Sequence, residues 1–346
     1  MKSFKYLFII LVIFFKTGNV LSVENLFTVN NIEVQNQKNA DFENLADQAI
    51  KKAFLELIDR ILLEKDKNKL YSLKTSQVKD LVSYYQIKKG DNIEKDIKTF
   101  NIFFDKDKFH DLFYENGISY SDTSKNELFL LPVLKKKNQY FVYNKNFFYE
   151  NWIEISQNEL IEFILPLENI ETVQKINSNK NDLSGLDLTE IFQEFTNKNF
   201  AFIFVDDDDP NEQKIFMKLN IVGKKISKSL SIKKTNSDKE LYYKDTIKVI
   251  NKELENFFKS QNLIDIRTPS FINAKFKLSK KNNLMELNKR LKKIDLIQNI
   301  FIQQFNKNYI NLRIKYLGKI DKIIALLKNQ NIFLKFENEE WNLKII

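Results

Sequence analysis

The sequence predicts a multi-domain protein of the α/β (α+β) class, built from small mixed-sheet modules. Three observations carry this. Apolar side chains recur every three and four positions from Phe42 to Leu62, the stripe of a long amphipathic helix. Phe200 to Val205 is an unbroken apolar run, as in a strand buried on both faces. Residues 214–222 and 226–232 form two strand-like runs that turn at Gly223-Lys224, the pattern of a hairpin.

The elements follow in order. Residues 1–22 read as a secretory signal. Lys2 and Lys5 make a basic start, Tyr6 to Phe15 is continuously apolar, and Lys16 and Gly18 end the run. Val20 and Ser22 supply modest side chains for cleavage between Ser22 and Val23. Crossing a bilayer takes roughly 20 apolar residues, and this run reaches only about 15 Å as helix. The cleaved chain is therefore expected to have no stable membrane insertion; retention as an anchor is the competing reading.

The first domain is expected over residues 23–122. It holds a strand at 26–34, a polar loop at 35–40, the 42–62 helix, a helix at Thr75–Tyr84, a strand at 97–104 and a helix at 108–115 closed by Gly117. A polar stretch at 121–125 separates a middle domain, residues 127–264. There, strands are expected at 128–134, 140–143, 161–165 and 200–205, with the hairpin after them. Short helices are expected at 147–152 and 188–195, and a long one at about 237–261. Pro166 stops the third strand. Beyond Arg267-Thr-Pro269, residues 270–346 alternate as strand 271–278, helix 282–293, strands 298–304 and 309–316, helix 319–328 and strand 332–338. Gly318 marks the turn before the second helix. That βαββαβ order predicts a ferredoxin-like unit, with Trp341 covering an edge or end.

Composition narrows the function classes. The chain of 346 residues has no cysteine, which excludes disulfides, thiolate chemistry and cysteine-bound metals. Its formal charge is +9, but Arg60, Arg267, Arg290 and Arg313 are the only arginines among 55 basic residues. Abundant Lys, Asn, Ile and Phe beside six glycines and four prolines fit an AT-rich coding bias. Nucleic-acid readers favour the arginine fork, so no nucleic-acid partner is expected.

Several motifs in order resemble a known family. Ala46, Ala49, Ala53, Leu57 and Arg60 lie on the first helix. Phe103-Phe104-Asp105, Leu130-Leu131-Pro132-Val133-Leu134, Trp152 and Leu165-Pro166-Leu167 follow. Over roughly residues 26–170 this resembles the proteobacterial exported family called domain of unknown function 2066. The resemblance implies a Gram-negative periplasmic home and no particular activity.

Candidate chemistry is sparse. His110, the single histidine, is expected at a surface or boundary beside Phe109, and one histidine excludes HExxH and multi-histidine metal sites. Ser-x-x-Lys occurs at Ser76–Lys79 and Ser231–Lys234, at chance frequency in a lysine-rich chain. Asp206 to Asp209, followed by Pro210, offers carboxylates for a hard cation but lacks the EF-hand spacing; a solvated loop is the plainer reading. Phe147, Phe148, Tyr149 and Trp152 could line a groove or fill a core. No glycine-rich phosphate loop is present. No catalytic, cofactor-binding or metal residue is therefore assigned, no cofactor is expected, and the only processing residues named are Ser22 and Val23. The expectation is a periplasmic, non-enzymatic envelope accessory or scaffold protein whose partners are envelope or periplasmic proteins. The alternative is a periplasmic hydrolase or ligand-binding protein with an unrecognised site in the middle domain.

Overall fold

The computed structural model describes residues 26–345 apart from 36–40, 89–96, 123–124, 157–159, 181, 184, 193–197, 222, 235–237 and 280–282. The expected signal and the Ser22–Val23 cut lie outside the described residues. Strands and helices are mixed along the chain, as expected for the α/β class. They divide into two units, one ending at Leu57 and resuming over 72–111, the other comprising 58–71 and 112–346.

The smaller unit contains β1 (Thr28–Gln35) and α1 (Phe42–Ile61) up to Leu57. After α2 (Glu64–Tyr71), which belongs to the larger unit, come α3 (Thr75–Asp80), β2 (Val82–Lys88), β3 (Ile97–Phe104) and the start of α4 (Lys106–Glu115). The strands form an antiparallel sheet in the order β1-β3-β2. A bulge in β1 puts Asn31 at φ 61°, and its N–H donates to Asn101 Oδ1 at 3.0 Å. Leu45, Ala49, Ala53, Phe54 and Leu57 of α1 are buried, as the stripe predicts. Phe109 ties the layers together, with its ring 5.4 Å from Phe27, 6.0 Å from Phe54 and 5.4 Å from Phe104.

One expectation fails here. The helix expected over Thr75–Tyr84 stops at Asp80, and Val82–Lys88 is a strand. Val82, Tyr84, Tyr85 and Ile87 favour the pleat, and pairing with β3 stacks Tyr84 on Phe103 at 4.3 Å.

In the larger unit α4 ends as its glycine implies. Gly117 has φ 60°, Ile118 N–H donates to Phe113 O at 2.9 Å and Gly117 N–H to Tyr114 O at 3.2 Å. The remaining elements are β4 (Tyr120–Ser121), β5 (Asn126–Lys136), β6 (Gln139–Phe141), α5 (Phe147–Ile155), β7 (Ile161–Ile164), α6 (Ile170–Ser178), α7 (Leu188–Ile191), β8 (Phe200–Asp206), β9 (Glu212–Ile221), β10 (Lys224–Lys233), α8 (Lys239–Gln261), β11 (Leu263–Ile264), β12 (Ser270–Lys277), α9 (Leu284–Leu291), β13 (Ile297–Phe305), β14 (Tyr309–Tyr316), α10 (Ile320–Asn329), β15 (Ile332–Glu337) and β16 (Glu340–Ile345).

A six-stranded sheet runs β10-β9-β8-β5-β6, with β7 also on β5. β8 is parallel to β5 from Phe129 to Lys135 and covers one of its edges. The other edge is shared: β7 takes Asn126–Phe129 and β6 takes Leu134–Lys136. Between them Pro132, which has no N–H to give, faces a gap in the ladder. The amide of Asn146, fully buried, fills it. Its Nδ2 donates to the carbonyls of Pro132, Phe141 and Val142 at 2.9, 3.0 and 2.9 Å, and its Oδ1 accepts from Phe148 N–H at 3.1 Å, which caps α5. Both faces of β5 and β8 are buried. Leu128, Leu130, Ala201 and Ile203 pack with α5 and α8 on one side, and Leu131, Val133 and Phe202 with Ile176 and Phe192 on the other.

The C-terminal sheet has the order β13-β14-β12-β16-β15. Its β13-β14-β12 part is the split βαβ arrangement expected of a ferredoxin-like unit. It departs from a four-stranded sheet in one place. β16 enters parallel to β12 and displaces β15 to the edge. Trp341 therefore lies on a strand beside Ala274, not over an end. Asn338 (φ 52°) and Glu339 (φ 63°) make the tight β15–β16 turn, and without a glycine it left no hairpin signal in the sequence. Burial alternates along β12 and β14, so one face is buried with Leu287 and Leu291 of α9 and Ile323 and Leu327 of α10, and the other is bare. Arg290 of α9 donates to the carbonyls of Gln330 and Asn331 after α10, which holds the two helices side by side.

Asn146→Ala would remove the donor from the buried carbonyls of Pro132 and Val142 and the half-buried one of Phe141, and the acceptor from Phe148 N–H. It should lower unfolding free energy by about 3 kcal/mol in urea denaturation followed by circular dichroism.

Candidate functional site

The acidic loop leaves the end of β8, at the C-terminal ends of the parallel strands where α/β sheets commonly hold ligands. Its carboxylates are already taken. Lys135, at the end of β5, reaches Asp206 at 2.9 Å and Asp208 at 3.0 Å. Asp208 also accepts the Asn138 N–H at 3.1 Å, which pins the β5–β6 turn where Lys137 and Asn138 have φ of 50° and 59°. Asp207 is the most enclosed. It takes Lys234 Nζ at 2.9 Å, Gln213 Nε2 at 2.9 Å and the Tyr243 hydroxyl at 2.6 Å. Gln213 is held in turn by the Thr246 hydroxyl at 2.9 Å. Asp209 accepts the Asn211 N–H at 2.8 Å.

The titrations match this geometry. The hydrogen bond to Asp206 pushes the Lys135 ammonium up. Burial, then the bond to Asp207, pushes the Tyr243 hydroxyl up, and burial with the Asp207 charge takes Tyr242 to about 12. Burial acts to raise Asp208, but Lys135 and the N–H groups of Asn138 and Lys137 outweigh it and hold the carboxyl below its usual range. The group is a clamp between β5, β8, β9 and α8. Among the described residues no set of three or more His, Asp or Glu side chains is gathered to hold a metal. Beside the clamp an open cleft of about 390 Å³ is lined by Lys136, Lys137, Asp207, Asp208, Lys234, Lys239 and Tyr242.

No family model matches the chain. No curated protein matches it either. The C-terminal domain of LpoB from Salmonella enterica is similar over 33% of this chain and 88% of that one, at 11% identity and a TM-score of 0.21. A crystal structure of an uncharacterized protein is similar over 40% of this chain and 90% of that one, at 11% identity and a TM-score of 0.15.

The other candidates fall into structural roles. His110, expected at a surface or boundary, is buried with its ring 5.9 Å from Phe27, edge to face. Burial lowers its pKa to about 4, so it is neutral at neutral pH. Lys79 of the first Ser-x-x-Lys pair is held by Asp47 at 2.8 Å and Glu43 at 3.3 Å, and its pKa is raised by the Asp47 hydrogen bond. In the second pair Ser231 donates to Glu212 and Lys234 serves Asp207. Both lysines are thus paired with carboxylates, and neither stands beside its serine's hydroxyl as a partner. Trp152 and Phe148 are wholly buried, with Trp152 edge-on to Phe163 at 5.9 Å; they are core and line no groove.

What sequence reasoning missed is the bare face of the C-terminal sheet. The pairing of β13, β14, β12, β16 and β15 puts Phe301, Arg313 and Asn273 in one row, and Lys315 next to Phe271 in another. Lys344 pairs with Phe333 on the far side. Phe271, Phe301 and Phe333 are 45%, 48% and 45% exposed on this face. Arg313 lies over the Phe271 ring at 4.3 Å and Lys275 over Tyr309 at 4.7 Å. Alternate positions of these strands carried the signal, but only the register shows that they converge. No helix among the described residues is long and apolar enough to cross a membrane.

Two outcomes test these assignments. Asp207→Asn should cost about 2 kcal/mol in urea denaturation, by leaving Lys234 with carbonyl partners and no counter-charge, and the more exposed Asp208→Ala about 1 kcal/mol. The His110 pKa is lowered from 6.5 to about 4, so the unfolded chain binds the extra proton in that window. Stability contributed by the neutral imidazole is complete above pH 6.5 and is lost as pH falls toward 4. His110→Asn should flatten that part of the Tm–pH curve.

Proposed function

We propose that this chain is an exported, non-enzymatic accessory protein of the periplasm, acting by contact with envelope proteins through the bare face of its C-terminal sheet. The observation that carries the reading is that face. Its three phenylalanines stand outward on five hydrogen-bonded strands, with the sheet's own helices on the opposite side. The N-terminal leader supports the compartment. The absence of catalysis belongs to the same proposal; what favours it is that His110 is buried in the core, and Lys79, Ser231, Lys234 and Asp206–Asp208 are engaged in ion pairs or hydrogen bonds. Kinship with domain of unknown function 2066 belongs to the same proposal. The alternative, a ligand or substrate in the middle of the chain, would rest on the cleft beside Asp207 and Asp208, whose carboxylates already serve Lys234, Tyr243 and Lys135.

The test is made in cells with a C-terminally tagged chain. Osmotic shock should release a product whose mass places its first residue at Val23. A photo-crosslinking residue in place of Phe301 or Phe333 should give discrete protein adducts, while one in place of Met285, 83% exposed on α9, should not. Recovery from cytosol with Met1 attached, or equal adducts at all three positions, would overturn the reading.

A further inference from the structure

We infer that the bare face of the C-terminal sheet docks an acidic polypeptide segment carrying apolar side chains. The inference rests on the contact reading above and names its chemistry. The charge of the face is one-sided. Of its acids, Glu340 is paired with Lys275 at 3.2 Å and Glu337 with Lys335. Lys277, Arg313, Lys315 and Lys344 pair with no acid among the described residues. Four cations without counter-charge are thus interleaved with Phe271, Phe301 and Phe333 across the width of one sheet. Carboxylates of a partner would complete the cations, and its apolar side chains would cover the rings.

A single-stranded nucleic acid is the competing polyanion, since bases stack on exposed rings of such sheets. Two rings of the face are already covered from within, Phe271 by Arg313 and Tyr309 by Lys275. Base stacking needs those ring faces free, whereas a carboxylate meets a guanidinium without moving it off its ring. Carboxylate chemistry is therefore the better fit.

The experiment uses the full mature chain and fluorescence anisotropy of three probes: a labelled peptide of repeating glutamate, phenylalanine and leucine, the same peptide with lysine for glutamate, and labelled oligothymidylate. The acidic peptide should bind and weaken with added salt. The lysine peptide should not bind. Reversing the central cations in R313E/K315E should weaken the acidic peptide at least roughly tenfold. K277E/K344E, on other strands, should do the same and serves if the first pair fails to fold; unchanged Tm certifies each variant. Tighter binding of oligothymidylate with the same sensitivity would overturn the inference in favour of nucleic acid. Binding indifferent to both reversals, or no binding of the acidic peptide, would also overturn it. Crosslinks at Phe301 and Phe333 without acidic-peptide binding would defeat this chemistry and leave the contact reading standing; absence of those crosslinks would defeat the contact reading.

Discussion

The larger unit depends on a break in one strand being closed from outside the ladder. β5 is paired along one edge by β8 and along the other by two short strands, and a proline falls where those two leave off. A buried carbonyl at that point cannot be left without a donor at acceptable cost. Asn146 supplies the donor and, with the same amide, starts the helix that carries Phe148 and Trp152 into the core. A single side chain thus couples the sheet's pairing to the packing of one of its faces. Both hydrophobic layers around β5 and β8 inherit that geometry.

The charged cluster at the end of the same strands works in a related way. Lys135 ends β5, Asp206 ends β8, Gln213 lies on β9, and Tyr243 and Thr246 lie on α8. Joining them through Asp206–Asp208 fixes where the long helix begins relative to the sheet. Such a cluster costs desolvation, which its hydrogen bonds must offset. Its worth lies in specifying one arrangement of strand ends, a role that leaves little carboxylate oxygen for a cation.

Much of this was legible in the sequence, for identifiable reasons. α1, β8, the β9–β10 hairpin and α8 announce themselves through local periodicity, and their burial follows from it. Local signals misled where tertiary pairing outweighed them. Val82–Lys88 continues an amphipathic run, yet its aromatic and branched side chains gain more on β3. α2 is too polar to stand out, and β16 hid behind a turn without glycine. The acidic loop was visible as a motif, but its role depends on Lys135, distant in sequence. The bare C-terminal face was illegible because it is assembled from alternate residues of five strands.

The backbone records the composition of the chain. Among the described residues three glycines occupy left-handed conformations, but so do Asn31, Lys137, Asn138, Lys145, Asn331, Asn338 and Glu339. Each non-glycine residue there carries a conformational penalty of about 1 kcal/mol, less for asparagine, which tolerates the region best. A genome that spells lysine and asparagine readily and glycine rarely would have left these corners in the hands of side chains ill-suited to them. The molecule then holds a reserve of unrealised stability at its turns, reachable by codon changes that touch neither its cores nor its exposed aromatic face.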